Sequence, residues 1–124
     1  MTVTPAAVPV PAAPVLTIDI EQCAGNVCVL RLHGRLVAGA ATGILSARVT
    51  PLIPVSKRII LDLGDLKHTD SMGLGTLVRL YVSAKSKGCS LELLNLSQQI
   101  RNLLGLTNLF DVFTIIGENG VKLM

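Results

Sequence analysis

The stretch from Arg58 to Gly88 constrains the fold more than any other part of the chain, because it joins the hydrophobic pattern of a buried strand to that of an amphipathic helix. A short apolar run comes first and is typical of a strand buried on both faces. It comprises Ile59, Ile60, Leu61 and Leu63. Gly64-Asp65 is predicted to end this strand. After a short connection, apolar residues recur at the i, i+3, i+4, i+7 spacing of an amphipathic helix. They are Leu74, Leu77, Val78 and Tyr81.

The ends of this helix are marked by residues that suit them. Asp70 or Ser71 can cap the first turn by accepting a hydrogen bond from a free backbone N–H. Lys85 and Lys87 lie in the last turn, where cations suit the helix dipole, and Gly88 suits the position just beyond it. Ser71 is therefore predicted to present a hydroxyl at a helix N-terminus, just past a strand, at the edge of the domain.

The chain before this stretch predicts a hairpin and a helix. Val15 to Gln22 alternates as a half-exposed strand does, with Leu16, Ile18 and Ile20 on one face. Gly25-Asn26 predicts a turn, and Val27 to Leu32 a second strand. Gly34 to Pro54 suggests a helix that Pro51 and Pro54 end.

The chain after this stretch predicts a strand, a helix and a last strand. These are Ser90 to Asn95, then Gln98 to Leu104 with Ser97 as its N-cap and Gly105 closing it, then Val112 to Ile116. Alternation of strands and helices predicts an α/β fold: a single domain with a mixed, mostly parallel sheet and crossover helices. The initial hairpin adds an antiparallel edge. The domain is expected over residues 15–117, between a disordered Pro/Ala-rich tail over 1–14 and a C-terminal tail over 118–124.

Composition excludes several classes of protein. The 124 residues suit one domain, and 50% of them are hydrophobic, enough for a core. The longest charge-free runs are broken by proline or shorter than the roughly 20 residues of a membrane span, so no membrane insertion is expected. No basic residue precedes the apolar N-terminus, which argues against a secretory signal and for a cytoplasmic protein. The net charge is +3, but the basic residues are scattered along the chain and there is no Trp. This argues against nucleic-acid binding, which usually shows a basic stripe and, for single strands, stacking aromatics.

Cofactors, metals and catalysis are not predicted either. Cys23, Cys28 and Cys89 form an odd set without a C-x-x-C pair, so we expect reduced thiols and neither a metal site nor a disulfide framework. A nucleophilic Ser71 would need a base held by a third group. His33 and His68 offer no credible triad, and His68 is expected in a connecting loop. We predict a binding protein without cofactor or catalytic residue.

The strand Ile60-Leu61-Asp62-Leu63, the turn Asp70-Ser71-Met72-Gly73-Leu74-Gly75 and the helix through Lys87 resemble the STAS family, the sulfate transporter and anti-sigma factor antagonist domain. The resemblance covers roughly Val15 to Gly117. It implies that Ser71 is a phosphorylation site. Thr69 is a less favoured second hydroxyl. The resemblance also implies a partner-binding surface that comprises Asp70, Ser71, Met72, Gly73, Leu74 and Asp62.

The function implied by this resemblance is that of an anti-sigma factor antagonist. Such a domain binds an anti-sigma factor serine kinase, releases the sigma factor, is phosphorylated with ATP and is reset by a phosphatase. Val37 stands where the family's antagonists commonly carry an acidic residue. Two alternatives stay open: a cytoplasmic accessory subunit of a membrane lipid transporter, and a scaffold component of a stress-signalling assembly. A homodimer also stays open.

Overall fold

The computed structural model describes residues 15–109 and 111–116, so the predicted tails over 1–14 and 118–124 lie outside the described residues. The chain forms five strands, three α-helices and a short 3-10 helix within that part. In chain order they are β1 (Leu16–Ala24), β2 (Val27–Leu36), α1 (Ala40–Val49), the 3-10 helix (Thr50–Val55), β3 (Arg58–Thr69), α2 (Ser71–Ser86), β4 (Ser90–Leu94), α3 (Gln98–Leu106) and β5 (Thr114–Ile116).

The strands form one sheet in the order β1-β2-β3-β4-β5. β1 and β2 are antiparallel, and the other neighbours in the described sheet are parallel. This arrangement confirms the predicted α/β fold with a mixed, mostly parallel sheet. β3 runs beside β2 from the pair Val27 and Arg58 at one end to the pair Leu36 and Thr69 at the other. The hairpin and the start of α2 therefore lie at opposite ends of the sheet.

One apolar cluster joins one face of the sheet to the three helices. From β3 it takes Ile59, Leu61 and Leu63, which are fully buried. The intervening positions face the other way, because side chains alternate along a strand. On that face ion pairs join Arg31 to Asp62 at 3.3 Å and Arg58 to Glu92 at 2.7 Å. The central strand is buried on both faces as predicted, but salt-bridging side chains shield the second face.

β3 is much longer than the sequence predicts. Gly64-Asp65 does not end it, and the strand continues to Thr69, directly before α2. The prediction was wrong because β2 also continues, and its pairing with β3 reaches the C-terminal residues of both strands. The neighbouring strand occupies the backbone groups that would otherwise favour a turn. His68, expected in a connecting loop, consequently lies within β3.

Smaller departures occur in β1, α3 and β5. Ile20 is 47% exposed, and the register of β1 shifts directly after it, between Ile20 and Gln22. Leu16 and Ile18 are buried as predicted. α3 continues through Gly105 to Leu106, and the positive φ beyond it belongs to Asn108. β5 is shorter than predicted and begins at Thr114.

The prediction of three reduced thiols was wrong for two of them, because Cys23 and Cys28 form a disulfide. Gly25 and Asn26 both have positive φ and form the predicted hairpin turn. This turn places Cys23 directly opposite Cys28 in the register of β1 and β2. The sequence spacing did not indicate the pair, because the hairpin register creates it. Cys89 is a free, buried thiol, and burial raises its pKa.

Candidate functional site

Asp70 organises the start of α2. It is the N-cap, and its Oδ1 accepts a hydrogen bond of 2.8 Å from the backbone N of Gly73. Its Oδ2 accepts a second bond of 3.0 Å from the backbone N of Ala38, in the connection between β2 and α1. The Asp70 backbone N donates to the carbonyl of Leu36 at 3.3 Å. One residue thus ties the helix N-terminus to the end of β2.

These hydrogen bonds favour the charged form of the Asp70 carboxyl. The bond from Ala38 is the larger cause and the bond from Gly73 the second, and together they hold the pKa of Asp70 below its usual value. The sequence predicted a cap at Asp70 or Ser71, and the structure selects Asp70. The sequence did not indicate Ala38 as a hydrogen-bond donor, because a donating backbone N–H leaves no signature in the residue's side chain.

Ser71 and Met72 form the exposed part of this site. Ser71 is the first residue of α2 and is exposed, and its hydroxyl has no hydrogen-bond partner within the described residues. Met72 is 61% exposed. Leu74 is buried in the core and anchors the turn from below. A hydroxyl and an apolar side chain therefore stand side by side at the positive end of the helix dipole.

Gly73 is held against the end of β2. A Cβ atom at Gly73 would overlap the carbonyl oxygen of Leu36 and lie 2.9 Å from the Leu36 Cγ. The first turn of α2 therefore packs closely against the end of β2 at this glycine. Gly75 differs, because a Cβ added there would meet nothing within 4 Å. Only glycine at position 73 lets the first turn of α2 approach Leu36 this closely.

Gln99 of α3 supports the segment that precedes Ser71. Beyond Asp62 the pairing of β3 with β4 stops. At Thr69 the Gln99 side chain forms the backbone hydrogen bonds that a neighbouring strand would otherwise form. Its Oε1 accepts from the Thr69 N at 3.2 Å, and its Nε2 donates to the Thr69 carbonyl at 3.3 Å. Its Nε2 also lies 2.8 Å from the His68 Nδ1. Sequence reasoning missed Gln99, because only the packing of α3 brings it to β3.

The two hydroxyls before and at the helix start differ in access. Thr69 is 2% exposed, and its Oγ1 is buried without a partner among the described residues. Ser71 is exposed. A modifying enzyme could reach Ser71 without local unfolding, whereas Thr69 would first have to leave the core.

Asp62 lies away from this cluster. It is 4% exposed in the middle of β3, where it contacts Arg31, the Asn95 amide at 3.1 Å and the Gly64 backbone N at 2.9 Å. At about 3.3 Å per residue, the strand places Asp62 roughly 20 Å from Thr69. Asp62 therefore does not lie beside Ser71, because the strand continues past its predicted end at Gly64-Asp65.

Neither a metal-binding cluster nor a membrane-spanning helix is found in the described part of the chain. Among the described residues, no group of three or more His, Cys, Asp or Glu side chains could hold a metal ion. No helix within residues 15–109 and 111–116 is both long and apolar enough to cross a bilayer.

Known proteins resemble this chain along most of its length. The anti-sigma-B factor antagonist of Bacillus subtilis (strain 168) is 29% identical over 109 residues, which cover 86% of this chain and 98% of that protein. The structure of the anti-sigma factor antagonist SpoIIAA in its unphosphorylated form has a TM-score of 0.69 at 22% identity, covering 83% of this chain and 90% of that one. The Bacillus cell fate determinant SpoIIAA in the phosphorylated form has a TM-score of 0.65 at 22% identity, covering 83% and 94%.

At such identities the two SpoIIAA structures establish the fold alone. The family is established by the sequence pattern of the STAS domain, which matches residues 18–119. That range contains most of β1, the other four strands, the exposed Ser71 and the Asp70 cap. This chain belongs to the STAS domain family.

Proposed function

We propose that this chain is an anti-sigma factor antagonist, a binding module that phosphorylation of Ser71 switches off. The observation that carries the proposal is the exposed Ser71 hydroxyl at the first position of α2, beside an Asp70 carboxylate held by two backbone donors. The similarity to the anti-sigma-B factor antagonist supports the class of partner. The proposed partner is an anti-sigma factor with serine kinase activity, which would act on this protein in the cytoplasm.

The chemistry belongs to the kinase. The Ser71 oxygen attacks the γ-phosphorus of ATP, ADP leaves, and the hydroxyl proton passes to a base of the kinase. The kinase also supplies Mg²⁺, so the antagonist contributes a positioned hydroxyl and a docking surface. A phosphatase then hydrolyses the phosphoserine and restores the hydroxyl. This division of labour requires no catalytic residue in the present chain.

The docking surface that we propose is centred on Ser71 and Met72. The exposed Met72 side chain offers apolar contact area that a partner can cover, and a thioether side chain adapts to irregular surfaces. Three further residues support this surface by fixing the first turn of the helix. They are Asp70, Gly73 and Leu74. Asp62 is left out of this surface, because it is buried in the middle of β3.

Phosphorylation would change the surface without unfolding the domain. The phosphate adds a charge of about −1.5 to −2 at neutral pH. The free N–H groups and the dipole at the helix start favour an anion there, so the fold should survive. A partner that covered the neutral hydroxyl must then bury or face this charge beside Asp70. An unpaired buried charge costs several kcal/mol, so even partial burial weakens binding by tens-fold.

The test is a titration of the cognate kinase, once it has been identified, with four forms of the antagonist. Wild type and Ser71→Ala should bind alike, whereas Ser71→Asp and the phosphorylated protein should bind at least about tenfold more weakly. Ser86→Asp is the matched control, because it places the same charge on an exposed serine at the other end of α2. Melting curves of all forms check that the fold is intact.

Equal affinity for all four forms, with folding preserved, would return Ser71 to the role of an ordinary first-turn serine. Stable co-purification with a membrane permease would instead favour the transporter subunit. Elution from native extracts as a very large particle would favour the signalling scaffold. Either result, obtained without kinase binding, would contradict the proposal.

A further inference from the structure

The disulfide lies at the opposite end of the sheet from Ser71. Cys23 and Cys28 close the tip of the β1–β2 hairpin, and β3 separates this tip from Thr69 by more than about 30 Å. Nothing in the switch at Ser71 uses this pair. The structure assigns it a separate role: Cys23 and Cys28 are a reversible thiol–disulfide site that exchanges with a low-molecular-weight thiol of the glutathione class.

The two cysteines differ in exposure, and this difference sets the direction of attack. Cys28 is 5% exposed, and its Sγ lies 3.8 Å from the Ser56 Oγ. Cys23 belongs to an exposed stretch at the end of β1. A cleft of about 200 Å³ is lined by both cysteines, by the turn residue Asn26 and by Val55, which is 67% exposed. A small thiol can enter this cleft, and there the exposed Cys23 is open to attack, whereas Cys28 is buried.

The exchange needs no reactant other than the small thiol and its oxidised form. A thiolate attacks the Sγ of Cys23, a new disulfide joins the small thiol to Cys23, and the Cys23–Cys28 bond breaks. Cys28 leaves as a thiolate, which the nearby Ser56 hydroxyl can stabilise as a hydrogen-bond donor before water protonates it. A second small thiol then attacks the mixed disulfide, giving a free Cys23 thiol and the oxidised dimer of the small thiol. Oxidised small thiol drives the same steps in reverse.

The hairpin tip also contacts the start of the central strand. The Asn26 carbonyl accepts from the backbone N of Lys57 at 2.7 Å and from that of Arg58 at 3.2 Å. The disulfide encloses the turn that presents this carbonyl. Reduction therefore loosens the attachment of the hairpin to β3, while the Ser71 end keeps its contacts through Asp70 and Gln99. Because the disulfide closes a loop of few residues, reduction should lower the melting midpoint by roughly 10 °C.

The first experiment equilibrates the full chain with mixtures of reduced and oxidised glutathione, followed by alkylation and mass analysis. Cys23 and Cys28 should change together from bonded to free as the reduced fraction rises, with the circular dichroism spectrum unchanged. The buried Cys89 is the internal control and should stay unalkylated until the protein unfolds. A pair that stays bonded in reduced glutathione, or stays free in oxidised glutathione, would overturn the proposal.

A second experiment tests the direction of attack. In oxidised glutathione, Cys23 of a Cys28→Ser variant should form the mixed disulfide about tenfold faster than Cys28 of a Cys23→Ser variant, because the thiols differ in exposure. Cys28→Ala replaces Cys28→Ser if serine at this buried position prevents folding. Equal rates in folded variants would show that access does not distinguish the two sulfur atoms.

Discussion

The Gly73→Ala substitution tests how far the stability of the domain depends on the close approach between α2 and the end of β2. In an ordinary exposed helix position, replacing glycine by alanine stabilises a protein by about 0.5–1 kcal/mol. At Gly73 the new methyl group would overlap the Leu36 carbonyl oxygen and lie 2.9 Å from the Leu36 Cγ. The nearest obstacle is backbone, which cannot rotate out of the way as a side chain can.

The expected magnitude follows from these two opposing effects. Overpacking of a well-packed site costs typically 1–3 kcal/mol, and the overlap with backbone puts Gly73 towards the upper end. Gly75→Ala is the matched control, because it lies in the same helix and a Cβ there meets nothing within 4 Å. We expect Gly73→Ala to be destabilised and Gly75→Ala to be stabilised, with a difference of about 2–4 kcal/mol between them.

Urea denaturation of the two variants and wild type measures this difference from the midpoints at a common slope. For a domain of this size, thermal midpoints should differ by roughly 10 °C or more. Equal stability of the two variants would refute the reasoning, because it would show that α2 can move away from Leu36 at no cost. A stabilised Gly73→Ala would show that no close approach exists.

Two further predictions concern the residues that hold the start of α2. Asp70→Ala should lower the free energy of unfolding by about 1 kcal/mol at neutral pH, and Asp70→Asn by less. Because hydrogen bonds lower the folded-state pKa of Asp70, its contribution is complete above the ordinary aspartate pKa and is lost as pH falls through the lower folded value. Urea titrations should therefore show the gap between wild type and Asp70→Asn closing in strongly acidic buffer, and a constant gap would contradict this. Gln99→Ala should accelerate amide exchange at Thr69, whereas Gln98→Ala should not, because the Gln98 side chain bonds to Asn102 within α3. Equal exchange in both variants would remove the support assigned to Gln99.

The sequence determined the parts of this protein that depend on near neighbours. The amphipathic spacing of α2, a cap at Asp70 or Ser71 and a C-terminal Gly88 are all local features. The structure confirms the helix and Gly88, whose φ is 79°, and it assigns the cap to Asp70. The Gly25-Asn26 turn is local as well. The alternation of strands and helices indicated a mostly parallel sheet, because parallel neighbours need crossover connections. The exposed position of Ser71 follows from these elements.

Tertiary structure decided what depends on residues far apart in the chain. β3 continues past Gly64 because β2 runs beside it, and this continuation moves Asp62 away from Ser71. The hydrogen bond from the Ala38 backbone to Asp70 spans 32 positions, and that between Gln99 and Thr69 spans 30. The pairing of Cys23 with Cys28 arises from the hairpin register. Local pattern cannot specify such contacts, because backbone donors carry no side-chain signal and the partners meet only when the sheet and helices pack.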